Sequence, residues 1–238
     1  MNIFAIGDIH GCLDQLILLH KRILSHEKFD PQKDLLIYLG DYIDRGKNSK
    51  EVINQILKLK DNKTNVINLM GNHDEFMINF LFNKKNNIKN WLNFGADFTF
   101  RSYNIEIVEF IKDGFEGKII DSLRETLLKK MGDSHLNFFK TLKISFSVKK
   151  YLFVHAGVNP QKKISDQSKV DLLLHRSEDF FNKNFKFEKV VVHGHTPEEN
   201  IVNHPYRINI DTGCYFSGKL SCVRLNLEDN TREFLISN

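Results

Sequence analysis

The chain predicts an α/β fold of two stacked β-sheets flanked by helices, and three observations predict it. Strand and helix patterns alternate from residue 3 to residue 70, and short strands separated by turn residues dominate from residue 151 onward. Five glycine-flanked polar clusters, each following an apolar run, punctuate the two halves: Gly7-Asp8-Ile9-His10-Gly11, Gly40-Asp41-Tyr42-Ile43-Asp44-Arg45-Gly46, Gly71-Asn72-His73-Asp74, His155-Ala156-Gly157 and His193-Gly194-His195-Thr196-Pro197.

Ile3-Phe4-Ala5-Ile6 reads as a first strand, and Leu13, Leu16, Ile17, Ile23 and Leu24 then recur at helical spacing. Leu35-Leu36-Ile37-Tyr38-Leu39 is a second strand. Val52, Ile53, Ile56, Leu57 and Leu59 mark a second helix, and Val66-Ile67-Asn68-Leu69-Met70 a third strand. Asp8, Asp41 and Asn72 are therefore each about one βαβ repeat apart. Right-handed crossovers make such strands parallel neighbours, so the three side chains emerge at one carboxyl edge, where open α/β sheets place their sites. From Glu75 to about Val148 the spacing is helical (Phe76, Met77, Phe80, Leu81; Ile119, Ile120, Leu123, Leu127, Leu128, Met131), a helical cap or insertion. Tyr151–Val154, Lys189–Val192, Arg207–Ile210, Leu220–Leu225 and Glu233–Ile236 read as strands of the second half. No linker divides the 238 residues, which predicts a single domain over 1–238 with the insertion at about 75–148.

The charge of +4, from 34 basic and 30 acidic residues, is spread over pairs such as Lys84-Lys85, Lys149-Lys150 and Lys162-Lys163, a solvated surface and not a nucleic-acid track. Cys12, Cys214 and Cys222 are too few and too irregular for a disulfide framework or a thiolate zinc site. A reducing cytoplasm fits. The apolar run at the amino terminus ends at Gly7-Asp8, too short for a signal peptide or a membrane span, so no membrane association is expected. Nothing in the chain fixes the oligomeric state.

Asp8 and His10, in one glycine-bounded turn, supply oxygen and nitrogen donors for a first metal with Asp41. Asp41, on the neighbouring strand, is placed to bridge to a second metal completed by Asn72, His155 and His195. The donor set lacks thiolate and suits Mn²⁺ first, with Fe or Zn²⁺ as alternatives. Two divalent ions against two aspartates leave a positive centre that binds phosphate and lowers the pKa of water to about 7, so no protein nucleophile is needed. His73, beside Asn72, is the candidate general acid, with Asp44 orienting it and keeping it protonated. Arg45 offers a guanidinium fork to phosphate oxygens.

These clusters resemble the phosphoprotein phosphatase branch of the calcineurin-like metallophosphoesterases, whose pattern is GDxHG, GDxxDRG, GNH[DE], HAG and a terminal histidine motif. All five occur in order between Ile3 and about Leu227, supported by Trp91-Leu92-Asn93-Phe94-Gly95 and Asn209-Ile210-Asp211-Thr212-Gly213, and the chain looks most similar to the small bacterial and phage serine/threonine phosphatases. The resemblance implies a four-layer αββα sandwich of two mixed sheets and the metal ligands Asp8, His10, Asp41, Asn72, His155 and His195. It implies Arg176 as a second phosphate arginine beside Arg45, with His73 and Asp44 at the leaving group. The activity it implies is hydrolysis of phosphoserine and phosphothreonine in proteins by direct attack of a metal-bridging hydroxide. Asp74 replaces the commoner Glu, Leu174 stands where a Trp often precedes the arginine segment, and Gly95-Ala96 replaces a Gly pair.

Some residues carry bland readings. His20, His26, His135, His175 and His204 lie outside the clusters and read as surface or core groups. His193 is either a partner of His195 or a structural strand-end residue; Asp211 either orients a metal-bound histidine or caps its own turn. Cys12 and Cys214 read as small buried groups, and Trp91 as core. The alternative activity is that of a symmetrical bis(5'-nucleosyl)-tetraphosphatase or related small-molecule phosphohydrolase, a family that shares GNHD but usually has Ala at the position of Asp44. A nuclease would end in GHxH, and Pro197 fills that slot and cannot ligate. A non-enzymatic scaffold would lack a ligand, and none is missing.

Overall fold

The computed structural model describes residues 1–61, 64–83, 87–111 and 117–238; the Lys84-Lys85 pair lies outside them. The first half runs β1 (Asn2–Ile6), α1 (Leu13–Leu24), β2 (Leu35–Tyr38), α2 (Ser49–Asp61) and β3 (Asn65–Asn68). Five helices follow: α3 (Asn72–Leu81), α4 (Ile88–Leu92), α5 (Ala96–Ser102), α6 (Val108–Ile111) and α7 (Gly117–Lys140), the last broken where Gly132 takes φ 69°. Next come β4 (Ser145–Val148), β5 (Tyr151–Val154), α8 (Lys169–Leu174), α9 (Glu178–Phe181), β6 (Val190–His193), β7 (Val202–His204), β8 (Arg207–Asn209), α10 (Cys214–Ser217), β9 (Ser221–Asn226) and β10 (Arg232–Ile236).

Two five-stranded mixed sheets result, ordered β10-β9-β1-β2-β3 and β4-β5-β6-β8-β7. Strand alternation explains the layers. In β1, Ile3 and Ala5 face the second sheet, packing in one cluster with Ile37, Phe153, Val192, Ile208 and Val223. Phe4 and Ile6 face the other way, into a cluster with Leu16, Leu19 and Ile23 of α1, Val52 and Ile53 of α2 and Phe80 of α3. A smaller cluster of Leu152, Val154, Val191, Leu172, Phe180 and Phe185 covers the outer face of the second sheet. Helix, sheet, sheet and helix are the four layers expected.

β1 pairs parallel with β2 and β2 with β3, so Asp8, Asp41 and Asn72 leave one edge together. β5, β6 and β8 are likewise parallel and carry His155, His195 and Asp211 at their carboxyl ends. The two edges meet.

One local expectation is corrected. The helical stretch read to about residue 148 stops at Lys140, and Ser145–Val148 pairs antiparallel with β5 through a two-residue turn at Lys149-Lys150, with Lys149 at φ 47°. A lysine pair carries no turn signature, and four alternating residues are too short a pattern to outweigh the helical text before them. β7, which pairs antiparallel with the expected strand β8 through a turn at Pro205-Tyr206, is absent from the sequence reading because its three residues are too short for a readable alternation. Among the described residues no helix is long and apolar enough to cross a membrane.

Candidate metal centre and phosphate cleft

Backbone strain marks the convergence point. His10 (φ 46°), Asp41 (54°), Asp44 (70°), Arg45 (65°) and His195 (66°) all sit in the left-handed region, which costs a residue with a Cβ about 1–3 kcal/mol and persists only when the surroundings over-determine it. Here they do. The Asp41 carbonyl accepts the Ile9 and His10 amides (3.1 and 2.9 Å), while the Asp41 amide donates to Asp74 Oδ2 (2.8 Å), which also accepts the Gly71 amide (2.8 Å). Asp74 thereby ties the second and third clusters together and caps α3.

Asp41 lies at the centre. His10 Nε2 is 3.4 Å and His155 Nε2 3.5 Å from its Oδ2, and ligand atoms of His10, Asp41 and His73 on one side, and of Asp41, His155 and His195 on the other, lie within 4.8 Å of one another. Asn72 Oδ1 is 2.9 Å from His155 Nε2, and His195 Nδ1 is 3.2 Å from the same nitrogen. The ring orientations suit metal binding, because His10 Nδ1 donates to the Ile43 carbonyl (2.8 Å) and His155 Nδ1 to that of Leu39 (3.0 Å), leaving both Nε2 lone pairs facing Asp41. Asp8 falls in neither convergence. Its Oδ2 accepts the His195 amide (3.0 Å), and its buried Oδ1 has no partner among the described residues.

That orphaned carboxylate oxygen is one of three signs that the residues fit cations. A Cβ on Gly194 would collide with Asp8 Oδ1, and one on Gly71 with Asp41 Oδ1, so both carboxylates lie in cradles that only glycine leaves open. The imidazoles are neutral, the form a cation requires: burial pushes His10 down to about 3 and His195 to about 2, and lowers His155. Burial also raises Asp8 well above the carboxylate range, with the Asp211 and Asp41 carboxylates adding to it. Burial works against the Asp41 charge too, but His155, His73 and His10 outweigh it and hold Asp41 low. Packed carboxylates beside neutral imidazoles lack a positive charge that the protein itself does not supply.

His73 faces the same space with a different set of partners. Its Nδ1 donates to Asp44 Oδ2 (2.7 Å), and its Nε2 is 3.2 Å from Arg45 Nη2. Burial presses the His73 pKa down, but the Asp41 and Asp44 carboxylates prevail and raise it. Burial raises Asp44, opposed by donation from His73, Thr99 Oγ1 to Oδ1 (2.6 Å) and Trp91 Nε1 to Oδ2 (2.8 Å). With Nδ1 tied to Asp44, His73 is better suited to carry a proton than to ligate, although its nitrogen falls within the first convergence.

Arg176 reaches the centre from the residues after α8, its Nε donating to His195 Nε2 (3.0 Å) and its Nη2 to the His195 carbonyl (3.2 Å). His10, Asp41, Arg45, Asn72, His73, Phe76, Phe94, Leu174, Arg176 and His195 line one cleft of about 310 Å³. Two further hollows adjoin it: a niche of about 160 Å³ sharing Asn72, Phe76 and Leu174, and a trough of about 380 Å³ sharing Arg45 and Phe94 and reaching Phe98 and Tyr215. Tyr215 stacks under the Arg45 guanidinium, 4.5 Å from carbon to ring centre.

Sequence reasoning missed the walls. Trp91 is buried as expected, yet it holds Asp44, as Thr99 does; Phe76, Phe94 and Tyr215 edge the cleft. Trp91 and Phe94 do fall within a supporting stretch, but Thr99, Phe76 and Tyr215 carried no signal. His193 is structural, with Nδ1 on the Gly194 carbonyl (3.0 Å) and its ring against Phe180. Asp211 caps its turn by accepting the Gly213 amide (2.9 Å). His20 and His135 are buried on the hydroxyls of Tyr38 and Tyr103 (2.7 Å each), His26 and His204 are bonded near the surface, and His175 bonds Ser177. The three cysteines form no disulfide.

A family profile described as calcineurin-like phosphoesterase matches residues 1–234. An asymmetrical bis(5'-nucleosyl)-tetraphosphatase of Halalkalibacterium halodurans is 25% identical over 94% of this chain and 90% of its own length. A symmetrical bis(5'-nucleosyl)-tetraphosphatase of Klebsiella pneumoniae is 42% identical, but over 31% of this chain and 24% of its own, so the chain spans about a quarter of that relative. A crystal structure of a candidate diadenosine tetraphosphatase superposes with a TM-score of 0.65 at 17% identity, covering 99% of this chain and 93% of that one, a likeness of fold.

Proposed function

The chain belongs to the calcineurin-like phosphoesterases, and from that premise we propose that it hydrolyses dinucleoside tetraphosphates in a metal-dependent reaction. The observation that carries this reading is that two separate hollows adjoin the cleft, since a polyphosphate bearing a nucleoside at each end needs room for two nucleosides beyond the reacting phosphorus. The relative matched nearly end to end is an asymmetrical tetraphosphatase, which favours unequal over symmetrical cleavage.

Asp8, His10 and Asp41 would hold one divalent cation, and Asp41, Asn72, His155 and His195 the second, the oxygen and nitrogen donors suiting Mn²⁺. When bound, such a pair supplies Lewis acidity and an activated water. Arg45 and Arg176 bind phosphate oxygens. With His195 serving as a ligand through Nδ1, its ring proton would sit on Nε2, the atom Arg176 now donates to, and the Arg176 guanidinium would be free to turn toward the cleft. His73, its Nδ1 fixed by Asp44, presents Nε2–H to the oxygen that leaves; when protonated it can no longer accept from Arg45, and both donors turn to the phosphate.

The His73–Asp44 pair also favours a second reading, a phosphoserine and phosphothreonine phosphatase, because an alkoxide needs a proton on departure far more than a nucleotide phosphate does. The three unbridged cysteines accord with a cytoplasmic setting for either. Initial rates on diadenosine tetraphosphate, phosphoserine and phosphothreonine peptides and p-nitrophenyl phosphate, with Mn²⁺ present, test the choice. Diadenosine tetraphosphate is expected to have the highest kcat/KM, and a faster phosphopeptide would overturn the reading.

A further inference from the structure

We infer that the niche beside Asn72 is an adenine subsite, and that it seats the nucleoside attached to the phosphorus under attack; the second half of this inference rests on the tetraphosphatase reading. The niche is lined by Asn72, Glu75, Phe76, Asn79, Asn87 and Leu174. Asn72, Glu75, Phe76 and Asn79 form one stripe of α3, running about 10 Å from the centre at 1.5 Å per residue. Phe76, stacked on Phe94 with ring centres 5.4 Å apart, and Leu174, 46% exposed and outside the buried clusters, supply its apolar lining. A planar base suits such a lining, and a base on an aromatic ring gains its affinity largely without sequence preference.

The polar edge supplies the preference. Asn87 Nδ2 donates to the Phe76 carbonyl (2.9 Å), while its Oδ1 is buried without a partner among the described residues. A buried acceptor left unpaired is costly, and an exocyclic amine would satisfy it. Asn79 accepts from Asn83 on Oδ1 (2.8 Å), which orients its Nδ2 as a donor for a ring nitrogen. A donor and an acceptor in one niche match the ring nitrogen and amino group of adenine, the pair that asparagine reads elsewhere. A hypoxanthine base places a carbonyl where Asn87 needs a donor.

The two hollows are unequal. The niche shares Asn72, a candidate metal ligand, whereas the trough shares Arg45 and Phe94 with the cleft and has no candidate ligand in its lining. One nucleoside thus sits directly beside the centre and the other beyond the phosphate arginine. Water oxygen then bonds to the α-phosphorus of the near nucleotide, the bridging bond from that phosphorus breaks with its electron pair on the departing triphosphate, and the products are AMP and ATP.

Calorimetric titration of the Mn²⁺-loaded protein with AMP, IMP and ribose 5-phosphate tests the subsite without turnover. AMP should bind about tenfold more tightly than ribose 5-phosphate and more tightly than IMP, and Leu174→Ala and Asn87→Ala should each cut the AMP advantage at least threefold. Equal affinity of AMP and ribose 5-phosphate, or an advantage that survives both substitutions, overturns the subsite. Hydrolysis of diadenosine tetraphosphate in ¹⁸O-water tests the register: label in AMP supports it, and two ADP, or label in ATP, overturns it. Preferential AMP binding without any such hydrolysis would instead remove the tetraphosphatase reading and leave the subsite standing.

Discussion

Replacing Asp44 by Asn tests the assignment of His73 most directly, because the substitution removes a charge and little else. An asparagine oxygen pointed at His73 Nδ1 and Trp91 Nε1 keeps both hydrogen bonds, and its amide nitrogen donates to Thr99 Oγ1, which turns its own proton toward Ser49. The loss of stability should stay near 1 kcal/mol. The charge matters more. The Asp41 and Asp44 carboxylates together hold the His73 pKa up, the latter from 2.7 Å, so removing the Asp44 charge should lower it and deplete the protonated form at neutral pH. Activity that needs the proton falls as pH rises through the His73 pKa, so the basic limb of the kcat/KM profile should move to lower pH. Steady-state kinetics on an alkyl phosphate and on p-nitrophenyl phosphate read the effect: about 10²-fold loss on the alkyl ester, whose leaving group needs a proton, and a few-fold on the aryl ester. Bound metal should not change. Equal losses on both esters, or loss of metal, would refute proton donation by His73.

Three further outcomes are expected. Asp41→Asn should abolish turnover and reduce bound metal measured by atomic emission, since both convergences of ligand atoms include Asp41; full turnover with unchanged stoichiometry would contradict it. Gly194→Ala should lower metal content while leaving the circular dichroism spectrum intact, because the new methyl group meets Asp8 Oδ1 and not the core; undiminished metal binding would exclude Asp8 as a ligand. His20 accepts from Gln55 on Nδ1 (3.3 Å) and donates to Tyr38 from Nε2, and burial pushes its pKa down to about 4. The unfolded chain, with an imidazole near 6.5, binds the proton first, so stability should fall as pH drops from about 6.5 to 4, by a contribution approaching 3 kcal/mol. Urea unfolding of His20→Gln should show a shallower fall than the wild type over that window, and parallel slopes would exclude the effect.

The sequence made the candidate ligands legible for a physical reason. A metal centre at parallel strand ends places its ligands beside glycines, in chain order, at the spacing of a βαβ repeat, and Asp8, Asp41 and Asn72 keep that spacing whatever the rest of the chain does. The left-handed conformations of His10, Asp41, Asp44, Arg45 and His195 are not written in their residue types, because backbone contacts from other clusters impose them. β4 was illegible because its turn is a lysine pair. The cleft walls were illegible because Phe76, Leu174 and Tyr215 come from three segments far apart in sequence, and each looks like ordinary core or surface until the tertiary structure joins them.

One segment touches both Asp44 and the wall of the cleft. Trp91 and Thr99 hold the two oxygens of Asp44, the Gly95 carbonyl between them accepts the Arg45 amide (3.3 Å), and Phe94, 45% exposed, forms the cleft wall from the same turn. On the proposed roles, a displacement of α4 and α5 would act at once on Asp44, the partner of His73, on Arg45 and on the aromatic surface at Phe94. Fit of a ligand against Phe94 and Phe76 would thereby be linked to the geometry of His73. Substitutions in this stretch should accordingly change kcat and KM together, whereas trimming Leu174 on the opposite wall, which bonds to none of these groups, should act on KM.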